Sequence, residues 1–179
     1  STRALADSRV LVVGTGAIGE AIRSRLAPFE TEITRVATTA RDDEHGHIHG
    51  INELPELLPN TDILVLIVPL TDSTRGLIGA KELALLPDGA LVVNVARGPV
   101  VDTDAITAEV VAGRLRMASD VFDPEPFPDD HPLWQADGAF ISPHIGGNTT
   151  AMLPRIVALL ADQLPRLADG RELKFVVKS

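Results

Sequence analysis

The sequence predicts an α/β domain built on a doubly wound parallel sheet. Short β-branched runs recur along the chain, amphipathic stretches alternate with them, and the first run ends in a glycine-rich turn that opens a helix. Runs apolar on both faces are what strands look like inside a parallel sheet covered by helices. Their alternation with helices is the doubly wound pattern. At 179 residues the chain suits one domain with a sizeable core.

The elements follow in order. Residues 10–13 form the first strand, Gly14 ends it, and a helix is expected over 17–26. Further strands are expected over 33–37, 62–68, 90–95, 115–119 and 139–142. Helical patterns occupy 53–58, 79–86 and 103–112, the last with Asp102 as its N-cap. A longer one runs from about 150 to 169 and stops at Gly170, a residue type suited to the position after a helix end. Pro154 and Pro165 should kink or shorten it. Residues 123–132 hold four prolines, which makes them a rigid loop, either plain surface or held still beside a site. There is no internal repeat or low-complexity segment.

Composition removes several functions. The net charge is −9, with no Lys/Arg run, so a nucleic-acid backbone or an anionic membrane surface is excluded as a partner. Cysteine is absent, which rules out disulfides, zinc thiolates and a Cys nucleophile and suits the cytoplasm. The longest apolar run, residues 63–70, is too short to cross a bilayer, and the N-terminus lacks the apolar core of a signal peptide. Nor does the sequence begin with Met, which raises the expectation that something upstream has been removed.

Gly14-Thr-Gly16-Ala-Ile-Gly19 matches G-x-G-x-x-G between a strand and a helix. The first glycine allows the tight turn, the second lets a pyrophosphate approach the backbone, and the third lets the helix pack close. Glycine-rich turns also occur where nothing binds, but this context points to a Rossmann dinucleotide site. An NAD-preferring site places an acid after the second strand. Here Thr38 and Thr39 replace it, with Arg41 just beyond, and hydroxyls with a guanidinium suit a 2′-phosphate. NADP(H) is therefore favoured over NAD(H). Two alternatives stay open: Arg41 paired with Asp42 or Glu44, and Asp42 as the ribose ligand in a shifted register. His45, His47 and His49 would share one face if extended, but no Cys lies near them and they sit away from the chemistry, so no metal is assigned.

Three later segments put polar groups at the carboxyl ends of strands, where such sheets bind ligands. Arg97 precedes Gly-Pro, Asp120 and Glu125 flank Val-Phe-Asp-Pro, and His144 precedes Ile-Gly-Gly. An Arg, a Glu and a His could form a 2-oxo acid reduction site, in which Arg holds the carboxylate, His donates a proton and Glu keeps His protonated. Spacing does not show that they converge, and each could be a surface residue.

Together these segments resemble the nucleotide-binding domain of the D-isomer-specific 2-hydroxyacid dehydrogenases, over about residues 10–170. The resemblance rests on the glycine loop, Val68-Pro-Leu-Thr71 with Thr74, Asn94-Val-Ala-Arg-Gly98, Asp120-Val-Phe with Glu125-Pro126, His131-Pro-Leu-Trp134 and Pro143-His-Ile-Gly-Gly147. It implies Arg97 as substrate-binding arginine, His144 as acid/base and Glu125 as its carboxylate partner. It implies Asp120 at the nicotinamide carboxamide, Ala17 and Ile18 at the pyrophosphate, and Val68 and Pro69 at the ribose. Val95 and Ala96 fall on the nicotinamide side, and Gly146 and Gly147 join the cofactor set. Small 2-oxo or 2-hydroxy acids are the implied substrates, with a homodimer formed through this domain.

The family builds a substrate domain from segments before the glycine loop and at the C-terminal end. Only nine residues precede Val10 and residues 171–179 follow Gly170, so that domain is essentially absent from this sequence. The expectation is one dinucleotide-binding domain over 1–179, with 170–179 a tail toward the substrate domain. An excised or proteolytic piece, or a naturally split enzyme, would look this way, and alone it should bind cofactor but turn over slowly. Glu30 stands where a helix-ending Gly is common. The rival reading is a non-catalytic dinucleotide-sensing module like the corepressors that resemble this family. A domain for an S-adenosyl ligand would explain the glycine loop but neither Arg97 nor His144.

Overall fold

A computed structural model of the chain describes residues 4–176. The chain divides into two compact units at the Pro143–His144 bond.

The first unit is an eight-stranded sheet. Its strands are β1 (Arg9–Val13), β2 (Glu32–Ala37), β3 (Arg41–Asp43), β4 (Gly46–Gly50), β5 (Ile63–Leu66), β6 (Leu91–Asn94), β7 (Arg116–Ser119) and β8 (Ala139–Ile141). They lie in the order β3-β4-β2-β1-β5-β6-β7-β8, all parallel except for the β3–β4 pair. The doubly wound α/β fold expected from the sequence is therefore present. The chain leaves β1 toward β2 and later returns to the other side of β1 at β5, which opens a crevice at their carboxyl ends.

Helix α1 (Ala17–Leu26) lies on one face, where Ile22 and Leu26 pack on Val10, Val12 and Val65. Helices α2 (Leu54–Leu57), α3 (Ala80–Leu85) and α4 (Thr103–Val111) contribute to the core on the other face through Leu54, Leu83, Ile106 and Val110. A fully buried side chain such as Leu83 or Leu64 contributes roughly 1.5–3 kcal/mol. Asp102 caps α4 as expected, its carboxylate accepting from the Ala105 N–H at 2.9 Å.

Three expectations for the first unit need correcting. The apolar stretch at 62–68 forms a strand only over Ile63–Leu66; one further bond to β1 runs from the Ile67 N–H to Val13, and Ile67 then lies against Gly14 of the glycine loop. The helix expected over 53–58 is broken into a turn at Ile51–Glu53, a single α turn and a second turn at Leu58–Asn60, with prolines 55 and 59 each opening a new piece. The segment after β2, read as a loop, is the β3–β4 hairpin. It buries little beyond Ile48 and Gly50 and is held by charge: Arg35, 5% exposed, donates to both Asp43 oxygens at 2.6 and 2.7 Å and to the Gly46 carbonyl. That guanidinium holds the Asp43 carboxyl far below the usual carboxylate range.

Glu30 takes the left-handed conformation that favours glycine, at φ 59°. In the second unit, α5 (Met152–Ala168) runs through both prolines as one helix, so they do not cut it short. Pro154 falls in its first turn, where no N–H is needed. Gly170, at φ 65°, ends it: the N–H of Gly170 bonds to Leu167 and that of Arg171 to Arg166.

Candidate active site

The three glycines of the first turn have three different reasons to be glycine. Gly14 adopts φ 118°, and a Cβ there would lie 2.5 Å from the Ile67 carbonyl. A Cβ on Gly19 would lie 1.9 Å from the Gly14 carbonyl, so α1 could not sit this close to the turn. Gly16, the N-cap of α1, has nothing within 4 Å of where a Cβ would stand. Nothing in the protein demands glycine there, and the position is the N-cap of a helix, whose first N–H groups have no partner within the helix. Ala17 and Ile18 are exposed beside it.

Arg41 turns toward this loop. It donates to the Thr15 hydroxyl at 2.8 Å and to the Thr39 carbonyl at 3.3 Å, while Thr38 and Thr39 are exposed next to it. Neighbouring side chains on a strand point to opposite faces. Asp42 accordingly points away from Arg41 and accepts from His47 Nδ1 at 2.7 Å. The alternatives of an Arg41–Asp42 pair and of Asp42 as ribose ligand both fit this geometry poorly. Thr15, the residue that anchors Arg41, carried no signal in the sequence beyond its place inside the glycine loop.

After β5, Val68 packs against the core and Pro69 is exposed. The Thr74 hydroxyl organises this loop by donating to the Pro69 carbonyl at 2.6 Å and accepting from the Thr71 N–H at 2.8 Å. After β6, the buried Asn94 side chain accepts from the Ala96 N–H and donates to the Arg97 carbonyl. Asn94 thus shapes the turn that exposes Val95 and Arg97 and buries Ala96. A polar residue ending an apolar run was the available signal for this role.

The loops after β6 and β7 are locked together. A Cβ on Gly98 would lie 1.9 Å from the Phe122 carbonyl, so only glycine allows the Asp120–Asp123 segment to cross here. Ser119 bridges the same two strands by donating to the Asn94 carbonyl at 3.1 Å. Asp120 has a buried Oδ1 with no hydrogen-bond partner, alone in this among the described residues. Buried acceptors are almost always satisfied, so this atom calls for a donor. Glu125 is exposed in the proline-rich loop, which stacks Phe122 on Phe127 at 4.1 Å and fixes Trp134 to the Pro128 carbonyl.

Arg97, Asp120 and the loop bearing Glu125 are thus grouped at the carboxyl ends of β6 and β7. His144, Gly146 and Gly147 belong to the second unit, where His144 follows three residues after the end of β8. Within that unit, the Asn148 and Thr149 N–H groups close turns on Ile145 and Gly147. Among the described residues no helix is long and apolar enough to cross a membrane.

Comparison with known proteins gives this arrangement a family. The glyoxylate reductase of Thermofilum pendens is 36% identical over 162 residues, covering 89% of this chain and 48% of that protein. The chloroplastic/mitochondrial formate dehydrogenase of Arabidopsis thaliana is 31% identical over 173 residues, covering 93% and 45%. The chain spans about half the length of the curated relatives it matches. Among solved structures, a D-isomer specific 2-hydroxyacid dehydrogenase from Xanthobacter autotrophicus Py2, in complex with NADPH and MES, superposes with a TM-score of 0.88 at 34% identity, covering 99% of this chain and 74% of that one. A probable 2-hydroxyacid dehydrogenase from Rhizobium etli CFN 42, in complex with NADP, HEPES and L(+)-tartaric acid, gives 0.87 at 28%, covering 99% and 57%. Residues 1–146 match the family described as D-isomer specific 2-hydroxyacid dehydrogenase, NAD binding domain, and the chain belongs to that family.

Proposed function

We propose that residues 1–179 form one dinucleotide-binding domain of a reductase that moves a hydride between NADP(H), in preference to NAD(H), and C2 of a small 2-oxo or 2-hydroxy acid. Residues 170–179 lead toward a substrate domain in this reading. The observation that carries it is Asp120: a buried, unbonded carboxylate oxygen in the loop cluster that also presents Arg97 fits the carboxamide N–H of a nicotinamide. The open space at Gly16 fits a pyrophosphate.

When bound, the dinucleotide supplies or accepts the hydride. The chain's own residues do the rest. Thr38, Thr39 and Arg41 hold the 2′-phosphate, Val68 and Pro69 line the ribose, Val95 and Ala96 serve the nicotinamide side, and Gly146 and Gly147 belong to the cofactor set. Arg97 grips the substrate carboxylate with its planar fork. His144 gives a proton to the developing alkoxide, and Glu125 keeps His144 protonated. These last roles rest on the family resemblance. Homodimerisation through this domain and a cytoplasmic location belong to the same proposal.

The test is calorimetric titration of the chain with NADPH and with NADH. NADPH binds more tightly, and Arg41→Ala weakens it about tenfold or more, since a hydrogen bond to a charged group contributes roughly 1.5–3 kcal/mol, while NADH changes little. Tighter NADH binding in the parent chain overturns the NADP(H) preference. Consumption of NADPH with glyoxylate or hydroxypyruvate, by any longer protein carrying this domain, tests the reaction.

A further inference from the structure

The β3–β4 hairpin places a second group of donors outside the site described above. His47 and His49 lie two residues apart on β4 and share a face. Their rings are 4.7 Å apart, edge to face. The sequence alone put no cysteine near them. The fold brings two carboxylates: Asp42, opposite His47 across the hairpin, and Glu53, from the turn that follows β4. A donor atom from each of His47, His49 and Glu53 lies within 4.8 Å of the other two.

We propose that His47, His49 and Glu53 bind a divalent transition metal of the zinc class, with Asp42 as the group that orients His47. Imidazole and carboxylate donors suit zinc and its neighbours rather than magnesium or calcium, which take oxygen alone. Glu53 is already fixed, since its Oε1 accepts from the Gly50 N–H at 2.6 Å. Its Oε2 is 2.7 Å from His49 Nδ1, so the two share one proton, and the metal takes that proton's place. His47 closes the third side by rotating inward from its exposed position. Ligands on zinc bonds of about 2.0–2.1 Å stand roughly 3.3 Å apart, so the side chains move by about an ångström, and the backbone stays.

Asp42 decides which His47 nitrogen is offered. An ionised carboxylate only accepts, so the 2.7 Å contact fixes the hydrogen on Nδ1 and leaves the Nε2 lone pair for the metal. Asp42 and Glu53 together bring two negative charges, which balance a divalent ion. His45 stands in the hairpin turn beside Glu20 and Glu44 and is not part of the group. The bound ion would join β4 to the turn after it, independently of any dinucleotide.

The experiment is calorimetry of the untagged chain, stripped with a chelator and titrated with zinc chloride, with imidazole nitrogen shifts followed by NMR. One equivalent binds, shifting His47 and His49 and leaving His45, His131 and His144 in place. His47→Ala, an exposed position that leaves the fold intact, weakens binding at least tenfold; Asp42→Asn does so by about tenfold, the usual loss for an orienting partner. His45→Ala leaves affinity unchanged. Absence of zinc binding by the folded parent overturns the proposal, as does binding that His47→Ala leaves unchanged. Shifts confined to other histidines overturn it without any variant.

Discussion

Asp120→Ala separates the two roles a buried carboxylate can play. In the chain as folded, Asp120 Oδ1 is buried without a partner. An unsatisfied buried acceptor costs roughly 1–3 kcal/mol. Removing it relieves that cost, offset in part by the lost contacts of the side chain, so the variant keeps or gains stability. A gain of about 1 kcal/mol raises Tm by roughly 2–4 °C in a domain of this size. The dinucleotide responds in the opposite direction. Losing a hydrogen bond to a charged acceptor, roughly 1.5–3 kcal/mol, weakens NADPH at least tenfold. A nicotinamide-free analogue, 2′-phospho-ADP-ribose, keeps its affinity because it never reaches Asp120. Thermal unfolding and calorimetry with both ligands measure these quantities. A variant that loses stability, or that weakens both ligands alike, refutes the reasoning.

Other expectations follow from single observations. Gly16→Ala lowers Tm only by the small cost of alanine at an N-cap, because its Cβ meets nothing within 4 Å, yet it weakens dinucleotide binding. Gly19→Ala loses both, because its Cβ would stand 1.9 Å from the Gly14 carbonyl; thermal melts with titrations separate the two patterns. Asp43 titrates lower when folded than its unfolded value near 3.9, so the folded state binds fewer protons. Its stabilisation is complete well above pH ~4 and is lost progressively as pH falls below that value toward the lowered folded one. Asp43→Asn therefore flattens the acid branch of Tm against pH. Glu30→Gly relieves the left-handed strain at φ 59° and gains about 1 kcal/mol in urea unfolding. Asp102→Ala loses the Ala105 cap and about 1 kcal/mol in the same assay.

Much of this fold was legible because local chemistry and tertiary role agree. Residues 17–26 read as a helix and are one, since the glycine turn, the apolar spacing and the packing on Val10 and Val12 all require it. The hairpin was not legible. From Arg41 to Gly50 only Ile48 is a buried apolar side chain, so neither period two nor period 3.6 appears. Those strands exist because β2 offers an edge and Arg35 reaches Asp43, and both partners lie outside the segment. Gly46, at φ 102°, was the one turn signal present. The proline breaks at 55 and 59 were readable and simply outweighed by the apolar spacing around them. In the site, residue types at strand ends were readable, whereas the devices that pose them were not: Asn94 and Gly98 act on backbone groups and Thr15 through its hydroxyl on Arg41, contacts that spacing does not encode.

These posing devices fall into two groups that share no residue, and this has a measurable consequence. Arg41 is held at the glycine loop by Thr15, on a hairpin pinned by Arg35 and Asp43. Asp120 and Arg97 are posed by Asn94, Gly98 and Ser119, within the crossed loops after β6 and β7. Between β1, which carries the glycine loop, and β7 lie three strand spacings, or about 14 Å across the sheet. Perturbations at such separation, with no shared partner within the protein, add to within roughly 0.5 kcal/mol unless the bound ligand itself couples them. The double variant Arg41→Ala/Asp120→Ala should therefore lose NADPH affinity by the product of the two single losses. A loss well short of the product would mean that the dinucleotide couples the two ends, so that releasing one end lets the other withdraw. In that case cofactor preference could not be retuned at Arg41 without disturbing the nicotinamide, whereas additivity leaves the adenosine end free to vary while the reacting end stays in place.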